Sequence, residues 1–231
     1  MGFIRKYIIS VGPAINIALL VAISSVMVME VWLNHIPELV PWGQEVGNIY
    51  YKVCISIVSS YIFYFIVIHL KNVKDKENIN VYVSEQVKLI INEHHSQLNA
   101  LSKESNINIK SKFPTSDEII GIFSKVNPNS DAPMINPAGK YVNWIQFFYS
   151  SKIRTEKTIS KVLSKMPFLD SELVSLLVKI DDCSHFGGLE HIVNIKFRNS
   201  DLSQWASGFS KYSETCKALE EYRERVLFEF V

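Results

Sequence analysis

Charge is missing where most proteins of 231 residues would carry some: between Tyr7 and Met29, and again between Val53 and Leu70, there is no Asp, Glu, Lys or Arg. At 1.5 Å rise per residue, runs of about 23 and 18 residues are long enough to cross a hydrocarbon core of roughly 30 Å. Because neither run has a charge in its middle, proton relays, voltage sensing and ion-coupled transport are not expected of them. Cysteine is scarce as well. Cys54 lies in the second run, Cys216 in an apolar stripe and Cys183 in the polar remainder, so no disulfide framework is expected. There is no phosphate-binding glycine loop, no Walker motif and no G-x-S-x-G elbow. A strong charge of either sign is also lacking. The first 78 residues hold six Lys or Arg and five Asp or Glu, and the rest holds 18 of each. A neutral domain is a poor nucleic-acid binder, and no nucleic-acid partner is expected.

What is present reads as an all-α protein: a two-helix transmembrane hairpin and polar linker over 1–78, with spans at about 7–29 and 53–70, followed by a cytoplasmic helical bundle over 79–231. The first run exceeds a signal-peptide core and has no A-x-A-like cleavage site. Lys6 stands where a myristoylation signal needs Ser or Thr. Arg5 and Lys6 precede the first span and Lys71, Lys74 and Lys76 follow the second, whereas the loop from His35 to Tyr51 holds Glu38 and Glu45, with Lys52 just beyond it. The positive-inside rule then places both termini in the cytoplasm, and Trp32, Trp42, Tyr50 and Tyr51 mark the opposite headgroup level. Pro37, Pro41 and Gly43 make the loop a compact turn.

The spans carry small residues on one side. Ala14, Ala18 and Ala22 recur every four residues, and Ser56, Ser59 and Ser60 offer a counterpart on the second span. Such faces let backbones approach closely. They serve either the hairpin itself or a homo-oligomer, for which Asn16 could supply an interhelical hydrogen bond. Gly12-Pro13 is expected to bend or begin the first helix.

Beyond a charged linker at 71–78, helical periodicity dominates. Val83, Val87, Ile90, Ile91, Leu98 and Leu101 share a helix face from Tyr82 to Leu101. Thr115 or Ser116 can cap a short helix. Residues 127–139 are expected to be a mobile loop, followed by a helix from Tyr141 to Met166 with aromatics crowded into its first half. Asp170 caps the next helix. His191–Phe197 alternates briefly as a strand would, but a lone strand without a partner reads more readily as an extended loop. From Leu202 to Phe230 an apolar stripe, interrupted by Arg223, predicts a long helix that either completes the core or pairs with a second copy.

Candidate chemistry is thin. His94 continues an apolar stripe while His95 points elsewhere, so the pair is expected to be structural. Asp181, Asp182, Cys183, His185, Glu190 and His191 gather around Gly187-Gly188. Their spacing matches no zinc or calcium pattern, and neither metal nor cofactor is expected. Ile36-Pro37-Glu38, Pro41-Trp42-Gly43-Gln44-Glu45-Val46-Gly47 and Ser60-Tyr61-Ile62-Phe63-Tyr64-Phe65 carry a resemblance to bacterial two-span membrane proteins with a cytoplasmic helical domain. That resemblance implies an architecture and no activity. In layout alone the chain is also similar to small two-span membrane effectors of bacterial defence systems.

Three functional expectations follow. The first is an anchored, non-enzymatic interaction or signalling module of the bacterial inner membrane, whose partners are the lipid bilayer and an unidentified cytoplasmic protein or small ligand. It would bind through an exposed aromatic-rich surface at Tyr141–Tyr149 or the loop at 127–139. The second is a self-associating, membrane-perturbing effector. The third is a hydrolase or metal enzyme centred on residues 181–191.

Overall fold

The computed structural model describes residues 7–33, 36, 41–109 and 111–227; Arg5, Lys6, His35, Pro37, Glu38 and Phe230, on which some expectations rest, lie outside them. The chain is mostly helical and divides into two compact units, Met1–Asn78 and Ile79–Val231.

In the first unit, Gly12 at φ 110° turns the chain and Pro13 opens α1 (Pro13–Val31). Proline suits this first helical position because its missing N–H has no partner there anyway. The α-helix therefore begins six residues after Tyr7, the expected start of the span. The second helix, α2 (Gly43–Phe63), takes in the second half of what reads as the loop to Tyr51. It passes through a widened, π-helical segment at Tyr64–His69 into α3 (Leu70–Ser105). The two helices α1 and α2 run antiparallel. Their register is held by hydrogen bonds from Tyr61 Oη to Asn16 Oδ1 at 2.9 Å and between Ser25 Oγ and Tyr50 Oη at 2.8 Å. Ser10 Oγ adds a third contact to His69 Nε2 at 3.0 Å. Buried Ala22 and Cys54 supply the close packing.

The charged stretch 71–78 is helical rather than a loose linker. The physical reason is an absence: from Asn48 to Phe113 there is no glycine and no proline, so nothing breaks the helix. A charge-rich run needs no packing face of its own when its backbone is already hydrogen-bonded on both sides.

The core of the second unit joins one face of α3 to α4 (Ser116–Phe123), α5 (Trp144–Leu163), α6 (Ser171–Asp181), the single turn α7 (Leu189–Ile192) and α8 (Ser203–Tyr222). Caps set three of the starts. Thr115 and Glu118 form a reciprocal capping box on α4, Asn143 and Gln146 do the same on α5, and Asp170 accepts from Leu173 N on α6. The 127–139 stretch is not simply a loop. It contains β1 (Asp131–Ile135), which pairs antiparallel with β2 (Tyr141–Asn143), so α5 begins at Trp144 instead of Tyr141. Pro133 falls in the register shift between Ala132 and Ile135, where a ladder can spare an N–H. His191–Phe197 forms no strand. Its ladder-like partner among the described residues is the Asn129 side chain, whose Nδ2 donates to Phe197 O at 2.9 Å and whose Oδ1 accepts from Phe197 N at 3.2 Å.

The stripe of α8 points into this core: Leu202, Phe209, Tyr212, Cys216 and Leu219 are all fully covered. Arg223, which interrupts the stripe, is tolerated because its Nε donates to the Ser84 carbonyl at 3.0 Å and its guanidinium lies 3.9 Å from Glu85. Gly208 is where α8 comes nearest another segment. A methyl group there would stand 3.2 Å from His185 N and 3.3 Å from His185 Cα, both backbone atoms that cannot swing aside. Gly121 in α4 has nothing within 4 Å. Replacing Gly121 by Ala is therefore expected to stabilise the protein by about 0.5–1 kcal/mol, through lost backbone freedom in the unfolded chain. Gly208→Ala is expected to destabilise it; urea denaturation of the full chain in detergent, followed by circular dichroism, reads both.

Candidate functional site

Burial separates the residues around Gly187-Gly188. Asp181, Asp182, Glu190 and His191 are exposed, Cys183 is half-buried, and His185 is inside the core at 1 % exposure. Burial raises the Asp181 carboxyl and pushes the Cys183 thiol up to about 11, the opposite of what an activated nucleophile needs. Among the described residues no group of three or more His, Cys, Asp or Glu could hold a metal ion.

His185 belongs instead to an aromatic nest that sequence spacing does not reveal, because its members come from five separate segments. His94 of α3 is sandwiched between Phe113 (ring centroids 5.3 Å apart, planes at 19°) and Phe209 of α8 (5.5 Å, 21°). Tyr212 meets it edge-on at 5.5 Å. The His185 ring stacks on Tyr212 at 5.3 Å and meets Phe148 of α5 edge-on at 5.1 Å. Its Nε2 lies 3.0 Å from Gln97 Oε1, an acceptor, so the neutral ring carries its proton on Nε2. Among the described residues, neither nitrogen of His94 has a hydrogen-bond partner. His94 thus acts as a flat, uncharged plate between two phenyl rings, and partial burial lowers the half-buried His95 imidazole as well. The nest is a packing device.

Aromatics of the Tyr141–Tyr149 stretch mostly turn inward. Trp144, Phe147 and Phe148 are buried, and among the aromatics from Tyr141 to Phe148 only Tyr141 stands exposed, opposite Ile135 in the two-stranded register. Beside this hairpin lies an open cleft of about 330 Å³ lined by Asn129, Asn143, Gln146, Asn194 and Lys196. Three contacts assemble it. Asn129 grips Phe197, Trp144 N donates to Pro128 O at 3.2 Å, and Trp144 Nε1 donates to Ser130 Oγ at 3.1 Å. Carboxamides and one ammonium around a shallow opening can donate and accept hydrogen bonds, but they offer no acid–base pair or nucleophile.

In the first unit, the small-residue face is divided too. Ala22 is buried in the hairpin, whereas Ala14, Ala18, Ser56, Ser59 and Ser60 are exposed. The hairpin packs through Ala22 and Cys54 and leaves the rest of the stripe open. No protein-family model, curated protein or solved structure matches the chain.

The pH dependence of stability follows from the nest. Burial holds the imidazoles of His94 and His185 down to about 3, against about 6.5 when unfolded. Their neutral forms are favoured by folding, so stability is complete above pH 6.5 and is lost as pH falls from 6.5 toward 3. At pH 5 the loss is on the order of 2 kcal/mol per imidazole. Denaturation midpoints at pH 7.5 and pH 5 should show this, and His94→Phe should remove about half of the difference.

Proposed function

We propose that the chain is a membrane-anchored, non-enzymatic interaction or signalling module of the bacterial inner membrane. Its first unit is a transmembrane hairpin with both termini cytoplasmic, and its second is a cytoplasmic helical domain that binds a protein or small ligand. The observation that carries this reading is how little of the apolar helices is covered. Within their most apolar stretches only 6 % and 11 % of residues are buried, and Leu20, Ile17, Met27, Val31, Ile62 and Phe63 each stand more than half exposed. A soluble protein would hide such helices in its core; left in water, they would form an apolar patch far larger than a monomer tolerates. In a bilayer they need no cover.

The second unit supports a binding role over catalysis. Its buried titratable groups are locked in neutral forms inside packing, and its open cleft is lined by carboxamides and Lys196. The cleft lining also includes exposed Ile195, and exposed Ile135 and Tyr141 belong to the hairpin that supplies Asn143, side chains of the kind that anchor a partner.

The open part of the small-residue stripe favours a second reading, the self-associating effector. Ala14 and Ala18 face outward at a spacing that lets a neighbouring helix approach.

Two measurements test these readings. After cell fractionation and alkaline carbonate washing, the intact chain is expected to stay with the membrane pellet; release into the soluble fraction would overturn the anchored module. Induced expression of the intact chain is expected to leave the membrane potential unchanged. Depolarisation that Ala18→Leu abolishes would replace the passive module by the effector.

A further inference from the structure

The second unit is neutral as a whole, but its charge is unevenly spread along α5. The first two cations of that helix have carboxylates beside them: Lys152 lies 3.5 Å from Glu156, and Arg154 lies 2.7 Å from Glu93. From Lys157 to Leu169 there is no Asp or Glu, while Lys157, Lys161 and Lys165 follow one another at four-residue steps. Lys165 falls just past α5, but its N–H still bonds Val162 O at 2.9 Å, so the helical turn continues to it. Four-residue spacing sets the three side chains along one face, about 5–6 Å apart. All three are exposed, and none pairs with a carboxylate among the described residues. Like charges at this spacing repel, and nothing on α5 relieves them. Directly after Lys165 comes the short turn Met166–Phe168, in which Met166 stands more than half exposed and Pro167 is exposed as well.

The direction of α5 decides which end of the unit this face occupies. Ser130 Oγ accepts from Trp144 Nε1 at 3.1 Å and lies 3.2 Å from Glu104 Oε1, which puts the start of α5 beside the last turns of α3. From Trp144 to Arg154 the facing position on α3 falls back from Glu104 to Glu93, so the two helices run antiparallel. The last turn of α5 therefore lies toward Ile79, where the chain enters the unit. A second set of contacts agrees: Tyr222 Oη donates to Asp170, and Arg223 donates to the Ser84 carbonyl. Carboxylates at this end are engaged or belong to another helix. Glu85 faces Arg223 at 3.9 Å and Glu172 pairs with Arg225. Glu221 and Glu224 follow α8, which packs on α4 and α6, whereas α5 packs on α6 and α7.

We propose that the face carrying Lys157, Lys161 and Lys165, together with Met166, docks on the anionic phospholipid headgroups of the cytoplasmic leaflet. The inference rests on the membrane reading above and adds a second, reversible contact to the anchor. Charge complementarity supplies the attraction, and chain connectivity supplies the proximity. With the span ending at about Leu70, the helix from there to Ile79 is about 14 Å long, so the second unit begins close to the headgroups. An acidic protein would answer three ammonium groups equally well, but the exposed thioether beside them favours a lipid surface. There the lysines stay with the phosphates while an apolar side chain enters the acyl boundary. Each lysine near an anionic surface corresponds to about five-fold in affinity, so three amount to on the order of 100-fold. The attraction falls off within a Debye length, about 10 Å at 0.1 M salt.

The intact chain in nanodiscs of phosphatidylglycerol, or of phosphatidylcholine with the same acyl chains, tests this through two footprints read by mass spectrometry. One is acetylation of lysines by a water-soluble reagent; the other is peroxide oxidation of Met166, which needs no lysine as its reporter. Labelling of Lys157, Lys161, Lys165 and Met166 is expected to be at least about five-fold slower in phosphatidylglycerol. Exposed Lys103, at the other end of α3, should label alike in both lipids. The difference should vanish at about 1 M salt, where the Debye length is about 3 Å. Lys157→Gln, Lys161→Gln and Lys165→Gln combined should expose Met166 again, and the corresponding triple Arg variant should keep it protected; Gln and Arg are both good helix formers at exposed positions. Equal labelling of the unaltered chain in the two lipids, or Met166 protection that survives the triple Gln variant or high salt, would overturn the proposal. A chain that assembles into both discs yet labels equally sinks this proposal alone, whereas a chain that never associates with discs sinks the membrane reading with it.

Discussion

The approach of the His185 segment to α8 is the constraint on which the second unit depends. The backbone at Ser184 and His185 can come so close only because position 208 has no side chain. The imidazole that enters with it finds Gln97 of α3 on one side and Tyr212 of α8 on another. One contact thereby brings α3, α5, the segment after α6, and α8 to a common centre. A buried imidazole is costly unless it is neutral and at least partly hydrogen-bonded, and the single bond to Gln97 together with aromatic packing meets that condition. Aromatic rings around it, rather than aliphatic side chains, give flat surfaces on which a neutral imidazole can stack.

Much of the helical pattern was legible from local chemistry. Asp170, Thr115 and the apolar stripe of α8 act over three or four residues, so a reader of the chain can see them. Three features were not legible, each for a physical reason. The charged run at 71–78 resembles a linker by composition, yet helix continuity depends on the absence of breakers over the whole span from Asn48 to Phe113. The short ladder between Asp131–Ile135 and Tyr141–Asn143 is hidden by Pro133, which lies in a bulge. Phe197 looks like part of a strand because it behaves as one, but its partner is a side-chain amide 68 residues away.

The candidate polar cluster shows the same limit from another direction. Proximity in sequence around Gly187-Gly188 says nothing about which side chains turn inward. Exposed Asp182 and buried His185 are three residues apart and belong to different environments. The residues that do meet His185, namely Gln97, Phe148, Phe209 and Tyr212, are scattered along more than a hundred positions. In the hairpin, by contrast, the small-residue face was visible as a pattern, and only the packing shows that it splits into a covered part at Ala22 and an open part at Ala18, Ser56 and Ser60.

Because α8 supplies Phe209, Tyr212, Cys216 and Leu219 to the core, the order of synthesis matters. His94 of α3 is made about 120 residues before Tyr212 of α8, one of the rings that packs on it. At 5–20 residues per second a translating ribosome needs roughly 6–24 s to make that stretch. During this interval His94 of α3 lacks the Phe209 and Tyr212 rings that pack on it. Until α8 is made, the capped starts of α4, α5 and α6 hold local structure while the faces of His94 stay uncovered by α8.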